Sequence, residues 1–170
     1  MKLTPLTLEH ALPLLHFELE NRDWFEQNIE PREQDFYSLT GVQTHIAEML
    51  LDKSLNKGLP LLITDSNEQI IGRINLHNIT CGKAFLGYRL SARHTGKGVT
   101  KSAIIKLLPM ARKLGIKRLV AMVATENIAS QKVIESQNFT AVKKHRNFAV
   151  VQGNPLDCIE YWLELTSAEN

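Results

Sequence analysis

Only two of the 170 residues are cysteine, Cys81 and Cys158, and they stand far apart with no partner at metal-site or redox spacing. That argues against a disulfide framework and a zinc module, and two free thiols fit a reducing compartment, the cytoplasm. No apolar run approaches the roughly 18 residues needed to cross a bilayer, so no membrane partner is expected. The opening MKLTPLTLEH lacks the apolar stretch and small-residue cleavage site of a secretory signal. Aromatic residues make up 6%, and none is interleaved with the basic residues from Arg89 to Arg118. The stacking platform that single-stranded nucleic acid needs is therefore missing. With no repeat, low-complexity tract or linker, the expectation is one domain over residues 1–170.

Acidic residues are absent from residues 83–118, which carry ten Lys or Arg, whereas residues 1–52 carry ten Asp or Glu against three Lys or Arg. A net charge of +2 hides this segregation. Two solvated faces of opposite sign would account for it. So would a basic site for an anionic ligand beside an acidic site for a cationic one.

Leu12, Leu15 and Leu19 at helical spacing predict a helix over residues 8–27, bent near Pro13. A second helix carries Ile46, Met49 and Leu50 on one face, with Gly58 closing it. LPLLITD and IIGRINLHNIT read as strands across the polar turn SNEQ, and AFLGYRLS follows across TCGK. KSAIIKLLPMARKLG returns to helical spacing, with Pro109 inside and Gly115-Ile116 as a Schellman stop. RLVAMVA reads as a buried strand, NIASQKVIESQN as a helix, and FTAVKKHRNFAVV and LDCIEYWLEL as two last strands. The class is mixed α/β.

In RHTGKGVTKSAI two glycines precede the third helix. The first amides of a helix lack internal partners and favour negative charge. Gly96 and Gly98 would let phosphate oxygens reach the backbone, with Arg93, Lys97 and Lys101 around them. A Walker A loop would need Ser or Thr after Lys97, where Gly98 stands, and a dinucleotide fingerprint would need glycine where Lys101 stands. A turn that binds nothing would also use these glycines.

GYRLSARHTGKGVTKSAI, followed some thirty residues later by ENIASQKVIESQNF, resembles the GNAT acetyltransferase superfamily. Arg93-His94-Thr95-Gly96-Lys97-Gly98 fits that family's R/Q-x-x-G-x-G/A, which cradles the pyrophosphate of acetyl-CoA. The nearest branch is the RimJ/RimL type that acetylates ribosomal-protein N-termini, on the LGY strand and Glu20-Asn21-Arg22. The resemblance implies a mostly antiparallel sheet flanked by helices and splayed between the strand ending at Leu90-Ser91 and that at 118–124. Pantetheine would lie in the splay as a pseudo-strand, with Leu90 and Ser91 among its contacts. Amides of Thr95, Gly96, Lys97, Gly98, Val99 and Thr100 would hold the pyrophosphate, with His94 positioning cofactor. Lys97, Lys101 and Lys132 would take the 3′-phosphate and adenine.

The family's N-x-x-A-x-x-L-Y pattern places a tyrosine as proton donor, but Ile134 stands at that position. By resemblance Asn127 would bind cofactor and Ser130 would lie near the thiol as donor. Asn127 would equally serve as an N-cap and Ser130 as a small helix residue. Candidates for the base are His77, Tyr88 and Glu126, each also explicable by packing or by helix-start charge. No metal is expected, and Cys81 and Cys158 have no motif for an acetyl-cysteine, so direct attack in a ternary complex is expected. Glu18, Glu20, Asp23, Glu26, Glu30, Glu33 and Asp35 would form an acidic surface attracting a cationic amine acceptor, such as a protein N-terminus. Acetylation of a small amine (polyamine, amino acid or drug), or an acyl-CoA-binding module without catalysis, stays open, as does monomer or homodimer.

Overall fold

The computed structural model describes residues 1–27 and 29–165. Its elements run β1 (Lys2–Pro5), α1 (Ala11–Glu20), α2 (Arg22–Phe25), α3 (Leu39–Ser54), β2 (Leu59–Thr64), β3 (Ile70–Thr80) and β4 (Lys83–Leu90). Then come α4 (Val99–Lys113), β5 (Arg118–Ala124), α5 (Ile128–Glu135), β6 (Thr140–Val151) and β7 (Asn154–Glu164). One seven-stranded sheet has the order β1-β2-β3-β4-β5-β7-β6. Every neighbouring pair is antiparallel except β4 with β5, which the α4 crossover makes parallel.

The mixed α/β class agrees with the sequence reading, with local corrections. KLTP is a strand although no strand was expected there, because it is too short to show a period and forms by pairing Lys2 with Thr64 and Leu3 with Ile63. The helix expected over 8–27 is broken at Asn21, whose φ of -110° and ψ of 10° leave the helical region, while the Phe17 carbonyl accepts both its backbone N–H at 3.2 Å and its side-chain amide at 2.9 Å. Asn56, not Gly58, closes α3: its φ is 55°, and Lys57 N–H reaches the Asp52 carbonyl at 2.7 Å. Asn is the second choice for that left-handed position. The stop at Gly115 is as expected, with Ile116 N–H on the Ala111 carbonyl at 3.1 Å.

Two cores cover the two faces of the sheet. One joins Ile104, Leu107 and Ala111 of α4 to Ile74, Leu76, Leu119 and Tyr161 of the strands. The other joins Leu14 and Phe17 of α1 to Val42 and Ile46 of α3 over Leu62. The outer strands differ in length: β1 has four residues and ends at Pro5, whereas β6 has twelve, interrupted by register shifts at 141–143 and 145–149.

What positions the site is a defect in this sheet. β4 and β5 pair only over Lys83–Arg118, Ala84–Leu119 and Phe85–Val120. Beyond Phe85 they diverge, while β5 stays fully paired to β7 as far as Ala124.

Candidate active site

The divergence opens a cavity of about 830 Å³ that reaches both faces of the sheet. Ser91 N–H donates to the Ile71 carbonyl at 3.0 Å. Strand alternation from that bond turns the main-chain groups of Leu86, Tyr88 and Leu90 toward the gap. Trp24 of α2 crosses to it, its indole N–H donating to the Leu90 carbonyl at 3.1 Å. Leu90, an expected cofactor contact, thus lines the cavity with its carbonyl already engaged.

At one end of the gap lies the glycine stretch. Ala92–His94 form a 3₁₀ turn, Gly96 and Gly98 have φ of 70° and 72°, and α4 starts at Val99. A Cβ on either glycine would meet no protein atom within 4 Å. Backbone conformation, rather than crowding inside the protein, therefore demands glycine here, and the space beyond is open. Ser102 is the first residue to donate into the helix, to the Gly98 carbonyl at 3.0 Å, and Gly98 offers no side-chain cap. The preceding amides have no partner within the helix. His94, Thr95, Gly96, Gly98, Val99 and Thr100 all line the cavity. Ser91, Arg93 and Lys97 do not: Ser91 is buried, its hydroxyl 2.7 Å from His94 Nδ1, and Arg93 and Lys97 are exposed.

Across the gap, α5 begins at Asn127, whose Oδ1 accepts from Ser130 N–H at 3.0 Å. Asn127, Ser130 and Lys132 all face the cavity. Asn138 takes φ 63°, and Phe139 N–H reaches the Ile134 carbonyl at 3.3 Å, so the helix ends with the geometry a glycine would give. Ile134 is fully buried in the core, so no proton donor acts from there. A tyrosine comes instead from the sheet: the Tyr88 hydroxyl lies 2.6 Å from Ser130 Oγ. Burial raises the Tyr88 pKa, partly offset by the Ser130 hydrogen bond. His77 lines the same cavity with its ring stacked on Phe85 at 5.7 Å, and withdrawal from water lowers its pKa. Of the three candidate bases, Glu126 is not brought to the site: it is exposed and borders no part of the cavity.

The other end of the cavity was not anticipated. Arg32, Arg73 and Arg89 line it, with no Asp or Glu among the described lining residues. Glu18 is fully buried, accepting from Arg73 Nη1 at 2.6 Å and from Arg89 Nη1 at 3.1 Å. Burial pushes the Glu18 carboxyl up, but Arg73, Arg89 and Arg32 together outweigh it and hold the pKa below its ordinary value. Glu26 is bound by Arg22 at 2.9 Å and Tyr37 at 3.2 Å, and Glu33 and Asp35 border a separate hollow. Of the expected acidic surface, Glu20, Asp23, Glu30, Glu33 and Asp35 are exposed, but none of them lines the cavity, where arginines stand instead. An arginine inside the apolar run IIGRI was the available signal, and the structure sets it in register with Arg89 of GYRL.

His45 completes this group. Its Nε2 lies 3.0 Å from Arg73 Nη2, and since arginine only donates, that nitrogen accepts and the ring is neutral. Burial, then Arg73 and Arg32, push its pKa down to about 3 from 6.5. Between those values the unfolded chain takes up a proton that the folded protein refuses. The stabilisation is complete above 6.5 and is lost toward 3, by at most about 1.4 kcal/mol per pH unit. His45→Gln, which keeps an acceptor for Arg73, should flatten that dependence in urea unfolding followed from about pH 7 to about pH 5.

Comparison with known proteins agrees with this geometry. Residues 1–140 match the acetyltransferase (GNAT) domain family. The probable N-acetyltransferase YjcK of Bacillus subtilis is 32% identical over 79% of this chain and 77% of its own length. Among solved structures, the ribosomal-protein-S5-alanine acetyltransferase of Vibrio fischeri superposes with a TM-score of 0.90 at 19% identity, covering 99% of this chain and 94% of that one. RimJ of Mycobacterium smegmatis, solved with CoA-disulfide, gives 0.89 at 18% identity, covering 99% and 83%. With the family matched over most of its length, the chain belongs to the GNAT acetyltransferases, and its activity is N-acetyl transfer.

Proposed function

We propose that the protein transfers the acetyl group of acetyl-CoA to a primary amine, the α-amine of a protein or peptide N-terminus, by direct attack in a ternary complex. Residues 1–170 form the one catalytic domain, working in the cytoplasm. The observation that carries this reading is the gap between β4 and β5, with unladdered main-chain groups on one wall and uncapped helix amides at its end. Pantetheine amides pair with the Leu86 and Tyr88 backbone, which any buried strand must satisfy somehow. The pyrophosphate sits on the amides from Gly96 to Thr100, with Lys101 and Lys132 adding positive charge. The fold shared with an S5-alanine acetyltransferase and with RimJ supports the N-terminal acceptor.

An α-amine with a pKa near ~8 is already about one-tenth neutral at pH 7. Its nitrogen lone pair attacks the thioester carbonyl, and collapse of the tetrahedral intermediate breaks the C–S bond. The thiolate takes a proton from the Tyr88–Ser130 pair, and the new ammonium gives one to His77 or to water. Lowered basicity keeps the His77 imidazole unprotonated and able to accept it.

Release of free thiol from acetyl-CoA with a peptide amine, matched by an acetyl mass gain on the peptide, tests the reaction. Coenzyme binding without transfer to any amine would reduce the protein to a binding module. The phosphate contacts are tested separately by Gly98→Asn. Asparagine tolerates the left-handed backbone, so the fold survives while a side chain enters the open space. Affinity for CoA by calorimetry should fall about tenfold or more, as for loss of a charge-assisted hydrogen bond.

A further inference from the structure

Arg73 and Arg89 stand directly opposite each other on β3 and β4, a like-charge pair that weakens a sheet unless a counter-charge lies between. Glu18 supplies it and spends one oxygen on each. Nothing comparable answers Arg32. Its Nε is buried with no partner, its guanidinium lies 4.1 Å over the Phe36 ring, and it has no ion-pair partner among the described residues. His45 is neutral, and Arg22 with Glu26 balance each other. Three guanidiniums therefore share one carboxylate, an excess of two positive charges around a cavity. Burial, with Arg89 and Arg73 nearby, lowers the Arg32 pKa to about 10, so it stays charged at neutral pH. Unpaired charge withdrawn from water is costly, and a bound anion relieves it.

Taking the acetyl-transfer reading as its basis, we infer that the acceptor amine also carries an oxyanion, a carboxylate or a phosphate, which docks between Arg32 and Arg89 beside Trp24 and Phe25. Arg89 still has donors not used on Glu18, and Arg32 has its whole planar fork, the geometry that suits an oxyanion. Trp24 and Phe25 line the same cavity, and the Arg89 guanidinium lies 5.4 Å over the Phe25 ring. Tyr88 and Arg89 are successive residues of β4 and point to opposite faces of the sheet, Tyr88 to Ser130 of α5 and Arg89 to Glu18 of α1. Both line the one cavity, so the acceptor enters from the Arg89 side and its amine reaches through the gap. This departs from the cationic acceptor that the acidic N-terminal segment suggests.

The test has a binding arm and a turnover arm. With CoA bound, N-acetylglycine, N-acetylglycinamide and inorganic phosphate are titrated calorimetrically into the wild type, Arg32→Gln and Arg32→Lys. The acid should bind about tenfold or more tightly than the amide, Arg32→Gln should erase that difference, and Arg32→Lys should keep part of it. In the second arm, peptides with glutamate, glutamine or lysine at the second position are compared as acceptors, and phosphoethanolamine with ethanolamine. The glutamate peptide or the phosphorylated amine should lead in kcat/KM by about ten- to a hundredfold, and which one leads assigns carboxylate or phosphate.

The anion site is overturned if neither the acid over its amide nor phosphate binds in an Arg32-dependent way, if Arg32→Gln leaves any preference unchanged, or if neither the glutamate peptide nor phosphoethanolamine leads its comparison. If amines are acetylated regardless of charge, the transfer reading stands and the anion site falls. If the acid binds through Arg32 but no amine is ever acetylated, the anion site stands and the transfer reading falls.

Discussion

Glu18→Gln should lower the free energy of unfolding by about 3–5 kcal/mol, the cost of breaking a buried ion pair from one side. Glutamine fills the same space, so packing is held nearly constant and the charge alone is removed. Arg73 is then the problem: its side chain is 3% exposed, and its remaining partners are a neutral histidine and a methionine sulfur. A loss of that size is a large part of the roughly 5–15 kcal/mol that holds a domain folded. Urea unfolding should show a lower midpoint at unchanged slope. Removing the arginine as well discriminates the cause. Glu18→Gln with Arg73→Met should cost less than Glu18→Gln alone, because the stranded charge is gone. If the double variant is simply the sum of the two singles, the two groups do not interact as the 2.6 Å contact implies.

Tyr88→Phe should lower kcat by about a hundredfold while leaving CoA affinity close to that of the wild type. The phenol packs identically without its hydroxyl, so the loss reports the proton at the departing sulfur. Ser130→Ala separates a direct donor from a relayed one: a small effect means that the phenol reaches the thiolate itself. The pH profile gives a second check. Burial keeps the Tyr88 hydroxyl protonated beyond its ordinary value of 10.0. Through the neutral range activity should therefore rise with deprotonation of the acceptor amine, without an alkaline fall from Tyr88. Unchanged kcat in Tyr88→Phe would assign the donor elsewhere.

The glycine loop was legible because two glycines in alternate positions before a helix announce left-handed backbone, and both have it. Asn127 was legible as a cap for the same local reason. Contacts across the gap were not. Tyr88 and Ser130 were each singled out, but their meeting depends on how far β4 swings from β5, which no local pattern encodes. Charge along the chain did not show which sign lines the cavity. Counting acids along residues 1–52 hid that Glu18 points inward and is fully buried, while Arg32, in that same acidic segment, faces the cavity. Sign per face, not sign per segment, decides what a pocket attracts. The break at Asn21 escaped because an apolar periodicity ran through it.

The two borders of the sheet bear on self-association. A twelve-residue outer strand would ordinarily template a neighbouring molecule, and β6 carries exposed Val142, Phe148 and Val150. Its two irregularities deny a flat ladder, and Lys143, Lys144, His145 and Arg146 in succession would face their own kind in a mirrored copy. At the opposite border, β1 is a strand of only four residues, and Pro5 has no N–H to offer. Continuous fibre-like stacking is thereby discouraged at both rims.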